Sequence, residues 1–247
     1  MIILGDIGNT ETKICLVRNN KIIKKILIPS KGKKKDILNR HFKKFQFSKL
    51  KKILFCSVVP ETFKELRNYF LKKTNIKCFE LKELDLKSIL KIDVNYKQVG
   101  SDRLANAISV SKKNKNFIIL DFGTATTFDV LIGNNYKGGI ISPGIKLSLN
   151  TLSDNASLIP KINLKKMSKV IGKDTKSAVR SGFFWGYAGL IDNILNLIKK
   201  ETKKSFRVII TGGFSKLFEN SIKTKTKQDF DITINGLNKA SKLIKKI

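Results

Sequence analysis

The chain has 247 residues, of which 41% are hydrophobic and 28% charged, the make-up of a globular protein with enough chain for one large core or two modest ones. No apolar run approaches the ~18 residues of a membrane span, and Gly5-Asp6 interrupts the apolar start Met1-Ile2-Ile3-Leu4, so neither a membrane partner nor a secretory leader is expected and the protein reads as cytoplasmic. A net charge of +31 points toward nucleic acid, yet arginine, the side chain suited to bidentate phosphate and base contacts, stands only at 18, 40, 67, 103, 180 and 207; the lysines that make up the rest are dispersed, as on a solvated surface that attracts anionic substrates, and no specific nucleic-acid partner is expected.

The chain opens with strand, hairpin and strand over residues 2–28, the first turn reading Asp6-Ile7-Gly8-Asn9-Thr10. A lysine-rich loop, Lys31 to Lys35, leads to a predicted helix over 36–46 and a buried-type strand, Ile53 to Val59, that Pro60 halts. Residues 61–73 predict an amphipathic helix with Phe63, Leu66, Phe70 and Leu71 on one side. A short strand at Ile76 to Phe79 follows, and Leu104 to Ser111 has helical spacing after a turn at Gly100. The polar stretch Lys112 to Asn116 makes a domain boundary, beyond which the opening pattern returns as Ile118-Ile119-Leu120-Asp121-Phe122-Gly123-Thr124-Ala125-Thr126-Thr127. A strand near Gly139-Ile140-Ile141 meets Pro143-Gly144, and Thr175 to Lys199 is the longest helical pattern, with Asp174 or Thr175 as N-cap. Gly182, Gly186 and Gly189 lie near one side of it, suggesting close approach by another backbone, from this chain or a partner subunit. Val208 to Gly213 reads as a buried strand entering a Gly-Gly turn, and a last helix ends at Ile247.

Two copies of a strand ending in Asp-x-Gly and a hydroxyl-rich turn suggest two half-domains closing on one nucleotide. Backbone N–H groups beside Gly8 and Gly123, with the Thr10, Thr124, Thr126 and Thr127 hydroxyls, can face phosphate oxygens. Asp6 and Asp121 would repel those phosphates unless cations sit between, as hard metal ions do in phosphoryl transfer. A single Asp-x-Gly would be only a turn; the repetition argues for more. Other chemistries find no support. Met167 occupies the first glycine of what would otherwise be a P-loop ending at Gly172-Lys173. His41, the single histidine, lies in a polar basic stretch and is expected to be exposed, which disfavours triad or zinc chemistry, and Cys15, Cys56 and Cys78 are too scattered for a C-x-x-C pair. Gly100-Ser101-Asp102-Arg103 opens a helix after a loop, so Asp102 can serve as a general base with Arg103 holding an anionic group, or as an ordinary N-cap beside a solvated arginine.

The motifs Asp6-Ile7-Gly8-Asn9-Thr10, Gly100-Ser101-Asp102-Arg103, Asp121 to Thr127, Gly138-Gly139-Ile140-Ile141-Ser142-Pro143-Gly144, Gly172-Lys173-Asp174-Thr175, Gly186-Tyr187-Ala188-Gly189 and Thr211-Gly212-Gly213 together resemble, in order and spacing, the type III pantothenate kinases of the actin, Hsp70 and sugar kinase superfamily. The resemblance implies an α/β fold of two tandem ribonuclease H-like (actin-like ATPase) domains, 1–115 and 116–247, each a mixed sheet flanked by helices. It implies ATP-dependent phosphorylation of pantothenate to 4′-phosphopantothenate, the first step of coenzyme A synthesis, in a homodimer. Carried onto matching positions, Asp6, Ile7, Gly8, Asn9, Thr10, Glu11, Thr12 and Lys13 form the first phosphate loop, and Thr124 contacts ATP. Asp102 becomes the base, and Gly100, Ser101, Asp102, Arg103 and Thr175 contact pantothenate. Asp121 becomes the ligand of a monovalent cation, K+ or NH4+, while Mg2+ accompanies ATP near Asp6. Where the family commonly shows Tyr-x-Asn-Pro, this chain has Asp93-Val94-Asn95-Tyr96 and keeps only the asparagine, so the family's tyrosine role is not carried onto Tyr96. Two other readings stay open: an accessory or regulatory protein of the same fold, and a basic nucleic-acid-binding protein whose binding would fall steeply with salt.

Overall fold

The computed structural model describes residues 1–32 and 34–244, which form two compact units. In the first unit, β1 (Ile2–Ile7), β2 (Glu11–Arg18) and β3 (Lys21–Pro29) run as an antiparallel meander. Asn19 and Asn20 turn β2 into β3 with φ of 49° and 61°, the double left-handed geometry of a two-residue hairpin that asparagine tolerates. Helix α1 (Lys35–Phe42) leads to β4 (Lys52–Ser57), which pairs parallel with β1. Pro60 then sits in the first turn of α2 (Pro60–Thr74), where its missing N–H is not needed, and Asn75 ends the helix at φ 54°. Of the apolar side predicted for α2, Leu66 and Phe70 are buried, whereas Leu71 is exposed. Strand β5 (Cys78–Glu80) extends the sheet in parallel, giving the order β3-β2-β1-β4-β5, and β6 (Lys91–Ile92) precedes α3 (Ser101–Val110). The core under this sheet contains Ile3, Ile14, Leu16, Ile26, Ile53, Phe55, Leu66 and Phe70. All three cysteines are buried with free thiols, and His41 is half-buried rather than exposed.

The second unit repeats the plan with β7 (Phe117–Phe122), β8 (Ala125–Ile132) and β9 (Asn135–Pro143), then α4 (Ile145–Asn155), α5 (Thr175–Thr202), β10 (Arg207–Gly212), α6 (Ser215–Phe218) and β11 (Thr226–Gln228). Its strands lie in the order β9-β8-β7-β10-β11, the first unit's order element for element; the first residues of β9, Asn135 and Tyr136, pair with β6. Phe122, Phe184 and Phe218 stack in its core, with α5 burying Ala188, Ile191 and Leu195 against the sheet.

The chain is divided differently at its C-terminus from the sequence-based boundary. Residues 112–133 and 137–230 form the second unit, but α7 (Ile232–Ala240) returns to the first. Gly236 rests on the backbone of α3 where a Cβ would collide with the Ala105 carbonyl. The Thr233 hydroxyl donates to Asn106 Oδ1 at 2.8 Å, and Lys25 pairs with Asp231 at 2.7 Å. The predicted helix to Ile247 is therefore shorter, and its last three positions lie outside the described residues.

Candidate active site

Strands β1, β4 and β5 of the first unit are parallel, so their carboxyl ends share one edge of the sheet, the side on which open α/β sheets bind ligands. Asp6 stands there in register with Cys56 on β4 and Lys13 on β2. The turn after it is closed by the Gly8 N–H, which donates to the Glu11 carbonyl at 3.1 Å; in the second unit the Gly123 N–H donates to the Ala125 carbonyl at 3.1 Å. Both glycine amides thus bind their own turns and are not directed at a phosphate. The tip left exposed is Asn9, Thr10 and Glu11. Ile7 and Thr12 are fully buried, Ile7 in the core and Thr12 sharing a 2.8 Å hydrogen bond with Ser30, so any ligand contact of theirs runs through backbone atoms.

Helix α3 begins at an N-cap, Gly100, that has no side chain to cap it. Asp102 is in the first turn and is not the N-cap; its Oδ1 accepts the Arg103 N–H at 2.8 Å. Burial pushes the Asp102 carboxyl above the usual carboxylate range, opposed by that backbone hydrogen bond and by the Arg103 and Lys82 charges. Burial likewise pushes Asp6 up to about 6, helped by the negative charge of Asp102 and opposed by Lys13 and by a hydrogen bond from Cys56. Cys56 Sγ donates to Asp6 Oδ1 at 3.5 Å, and burial, with the Asp6, Asp102 and Glu80 charges, raises this thiol well above its ordinary value. The charges of Asp6, Asp102 and Glu80 thus all act on one buried thiol, which touches Asp6. Ser101 is buried with its hydroxyl donated to Glu80. Tyr96, whose hydroxyl donates to the Lys82 carbonyl at 3.2 Å, packs beside the Lys82 ammonium, 5.3 Å from the ring centroid. Glu80, Cys56 and Lys82 went unrecognised as site residues in the sequence; the one signal was Glu80's place as the last residue of a parallel strand.

In the second unit, Asp121 is in register with Thr127 on β8 and Thr211 on β10, so hydroxyl side chains flank it on the same sheet face. Gly212 adopts φ 85°, and a Cβ there would stand 2.7 Å from Asp121 Oδ1, so glycine keeps the space beside this carboxylate open. Thr124 is exposed, while Thr126 is fully buried with no hydrogen-bond partner for its hydroxyl among the described residues. Thr175 is the exposed first residue of α5, whose N-cap Asp174 accepts the Ser177 N–H at 2.9 Å while Ser177 Oγ accepts the Asp174 N–H at 3.1 Å. Those hydrogen bonds hold the Asp174 carboxyl below the usual carboxylate range. Farther along α5, a Cβ on Gly182, Gly186 or Gly189 would meet nothing of this chain within 4 Å.

Among the described residues no three His, Cys, Asp or Glu side chains gather as a metal cage. The donor sets present suit ions that bring other oxygens with them: Asp6 alone fits magnesium carried on phosphates, and Asp121 between two threonines fits a monovalent cation.

Residues 2–197 match the sequence profile of the type III pantothenate kinase family. Over 248 aligned residues, 99% of this chain and 100% of the relative, the chain is 62% identical to the type III pantothenate kinase of Pelagibacter ubique (strain HTCC1062). Solved structures share the fold at lower identity. A Campylobacter jejuni protein named for the Baf family of transcriptional activators superposes at TM-score 0.62, with 20% identity and 97% of each chain covered. MreB 5 of Spiroplasma citri, solved bound to AMPPNP, superposes at 0.53, with 10% identity over 96% of this chain and 94% of its own. Those two likenesses place the chain in the actin-like ATPase fold. The profile match and the full-length identity decide the rest: this chain belongs to the type III pantothenate kinase family.

Proposed function

We propose that this pantothenate kinase, which makes 4′-phosphopantothenate at the head of coenzyme A synthesis, uses Asp102 as its general base. The observation that carries this reading is the half-buried Asp102 carboxylate in the first turn of α3, held by the Arg103 N–H at 2.8 Å, with burial raising its proton affinity and its charge acting on Asp6. Pantothenate's primary hydroxyl gives its proton to Asp102 as its oxygen attacks the γ-phosphorus of ATP. The new O–P bond forms while the bond to the β,γ-bridging oxygen breaks, and ADP departs. Burial tunes the base by keeping its proton affinity above that of an exposed aspartate, which improves transfer from a weakly acidic alcohol. Arg103 holds an anionic or polar group of the substrate, with the Gly100 and Ser101 backbone alongside and Thr175 as a further contact.

ATP's phosphates engage the exposed Asn9-Thr10 tip and Lys13, and Thr124 is a further ATP contact. Asp6 holds magnesium, which neutralises charge on the phosphates when bound. Asp121, with Thr127 and Thr211, holds potassium or ammonium. A second copy of the chain packs on the Gly182, Gly186 and Gly189 face of α5, a reading supported by the open space over these glycines and by the exposed Val170, Ile171 and Trp185 of the same unit. Three free, buried cysteines fit a reducing cytoplasm, and no described helix is long and apolar enough to cross a membrane.

The test is a product assay with purified protein, ATP, magnesium and pantothenate in potassium or sodium. Formation of 4′-phosphopantothenate in potassium, with a several-fold lower rate in sodium, is expected. No product in potassium would remove the substrate assignment, and equal rates in both salts would remove the cation site.

A further inference from the structure

We infer that Glu80 is a positioning residue that locks Asp102 into its working geometry, an inference that rests on the reading of Asp102 as base. Glu80 is the last residue of β5, and its carboxylate ties together three segments. Oε1 accepts the Ser101 hydroxyl and, at 3.3 Å, the Ser57 N–H; Oε2 accepts the Lys82 N–H at 2.6 Å. Ser101 is the residue before Asp102, and Ser57 follows Cys56, the thiol that donates to Asp6. One side chain therefore links the strand that touches Asp6 to the helix that bears Asp102.

The start of α3 needs such a link because Gly100 supplies no cap, so the first turn is anchored from outside at Ser101. Only a carboxylate meets all three donors, since the nitrogen of a glutamine amide cannot accept a hydrogen bond. Its charge carries a cost: Glu80 joins Asp6 and Asp102 as a third carboxylate near Cys56. The arrangement makes sense where short, charge-assisted hydrogen bonds fix a reacting group, because displacement of about 1 Å at a catalytic group can lower turnover roughly 100-fold.

Steady-state kinetics of Glu80→Gln, Ser101→Ala and the double variant, with melting curves alongside, test this. Each single change is expected to lower kcat about 10- to 100-fold while both KM values stay within about three-fold, and the double variant should lose no more than the worse single one. Ser101→Ala removes only a hydroxyl and keeps the question answerable if the Glu80 variant fails to fold. Wild-type kcat in either single variant, losses that multiply in the double variant, or a loss seen mainly in KM would each overturn the inference. Asp102→Asn separates this from the underlying reading: unchanged turnover there removes the base, whereas the coupling of Glu80 to Ser101 is read from its own cycle.

Discussion

The two hairpins that begin the two sheets share strand order, turn closure and an aspartate at the same place, yet the residues facing that aspartate differ. Asp6 lies between Lys13 and Cys56, and Asp121 between Thr127 and Thr211. The first carboxylate has a fixed protein cation across the hairpin. The second has threonine hydroxyls at both of its cross-strand positions. A duplicated backbone thus carries different cross-strand neighbours around the same aspartate, with no change in topology.

The largest expected effect lies outside both hairpins. Asp102→Asn should leave the fold and ATP binding intact and lower kcat by about 100- to 10,000-fold, the usual worth of a general base; turnover within three-fold of wild type would remove that role. Next comes a direct exchange between the hairpins. Thr127→Lys gives Asp121 the cross-strand partner that Asp6 has, and the ratio of rates in potassium and sodium should fall to about one; a retained ratio would place the cation elsewhere. Asp121→Asn should flatten the same ratio and slow the enzyme, by roughly ten-fold, in both salts.

Smaller effects follow from proton affinity. Because Asp6 titrates near 6 and acts ionised, kcat/KM should fall as pH drops through about 6, and Asp102→Asn should move the Asp6 midpoint down, as read by carboxyl NMR. Burial is the main cause of the Asp6 shift and remains in that variant, so a partial return toward 3.8 is expected. Stability carries the opposite sign. A carboxyl whose folded pKa is raised binds its proton more tightly in the native state, so stability is highest below the unfolded value of 3.8 and is lost as pH rises through about 6. Asp6→Asn should therefore raise Tm by a few degrees at pH 7.5 and gain little at pH 4; equal gains at both pH values would dissociate the effect from ionisation.

Much of this was legible before the structure. The Asp-x-Gly turns, their flanking apolar strands and the helix after Gly100 are local patterns, and local patterns survive in sequence. What was hidden depends on distant partners. Glu80 meets Ser57 and Ser101 at separations of 23 and 21 residues, so nothing near it in the chain marks it as part of the site. Helix α4 was missed because it follows Pro143-Gly144 and buries only Ile145 and Leu149, a weak apolar stripe. That the Gly8 and Gly123 amides close their own turns could not be read either, because their acceptors, the Glu11 and Ala125 carbonyls, are fixed by the hairpin fold rather than by residue type. The membership of α7 in the first unit is settled by the backbone approach of Gly236 to α3, which no periodicity encodes.

That return of α7 bears on how the protein is made. Asn106 and its partner Thr233 are separated by 127 positions, so at about 5–20 residues per second the first unit waits roughly 6–25 s on the ribosome for the helix that covers α3. The second unit, ending at Phe230, is complete before that helix leaves the exit tunnel. The half that begins first should finish last, and chains stalled with α7 still inside the ribosome should resist protease across the second sheet while the first remains open to cleavage.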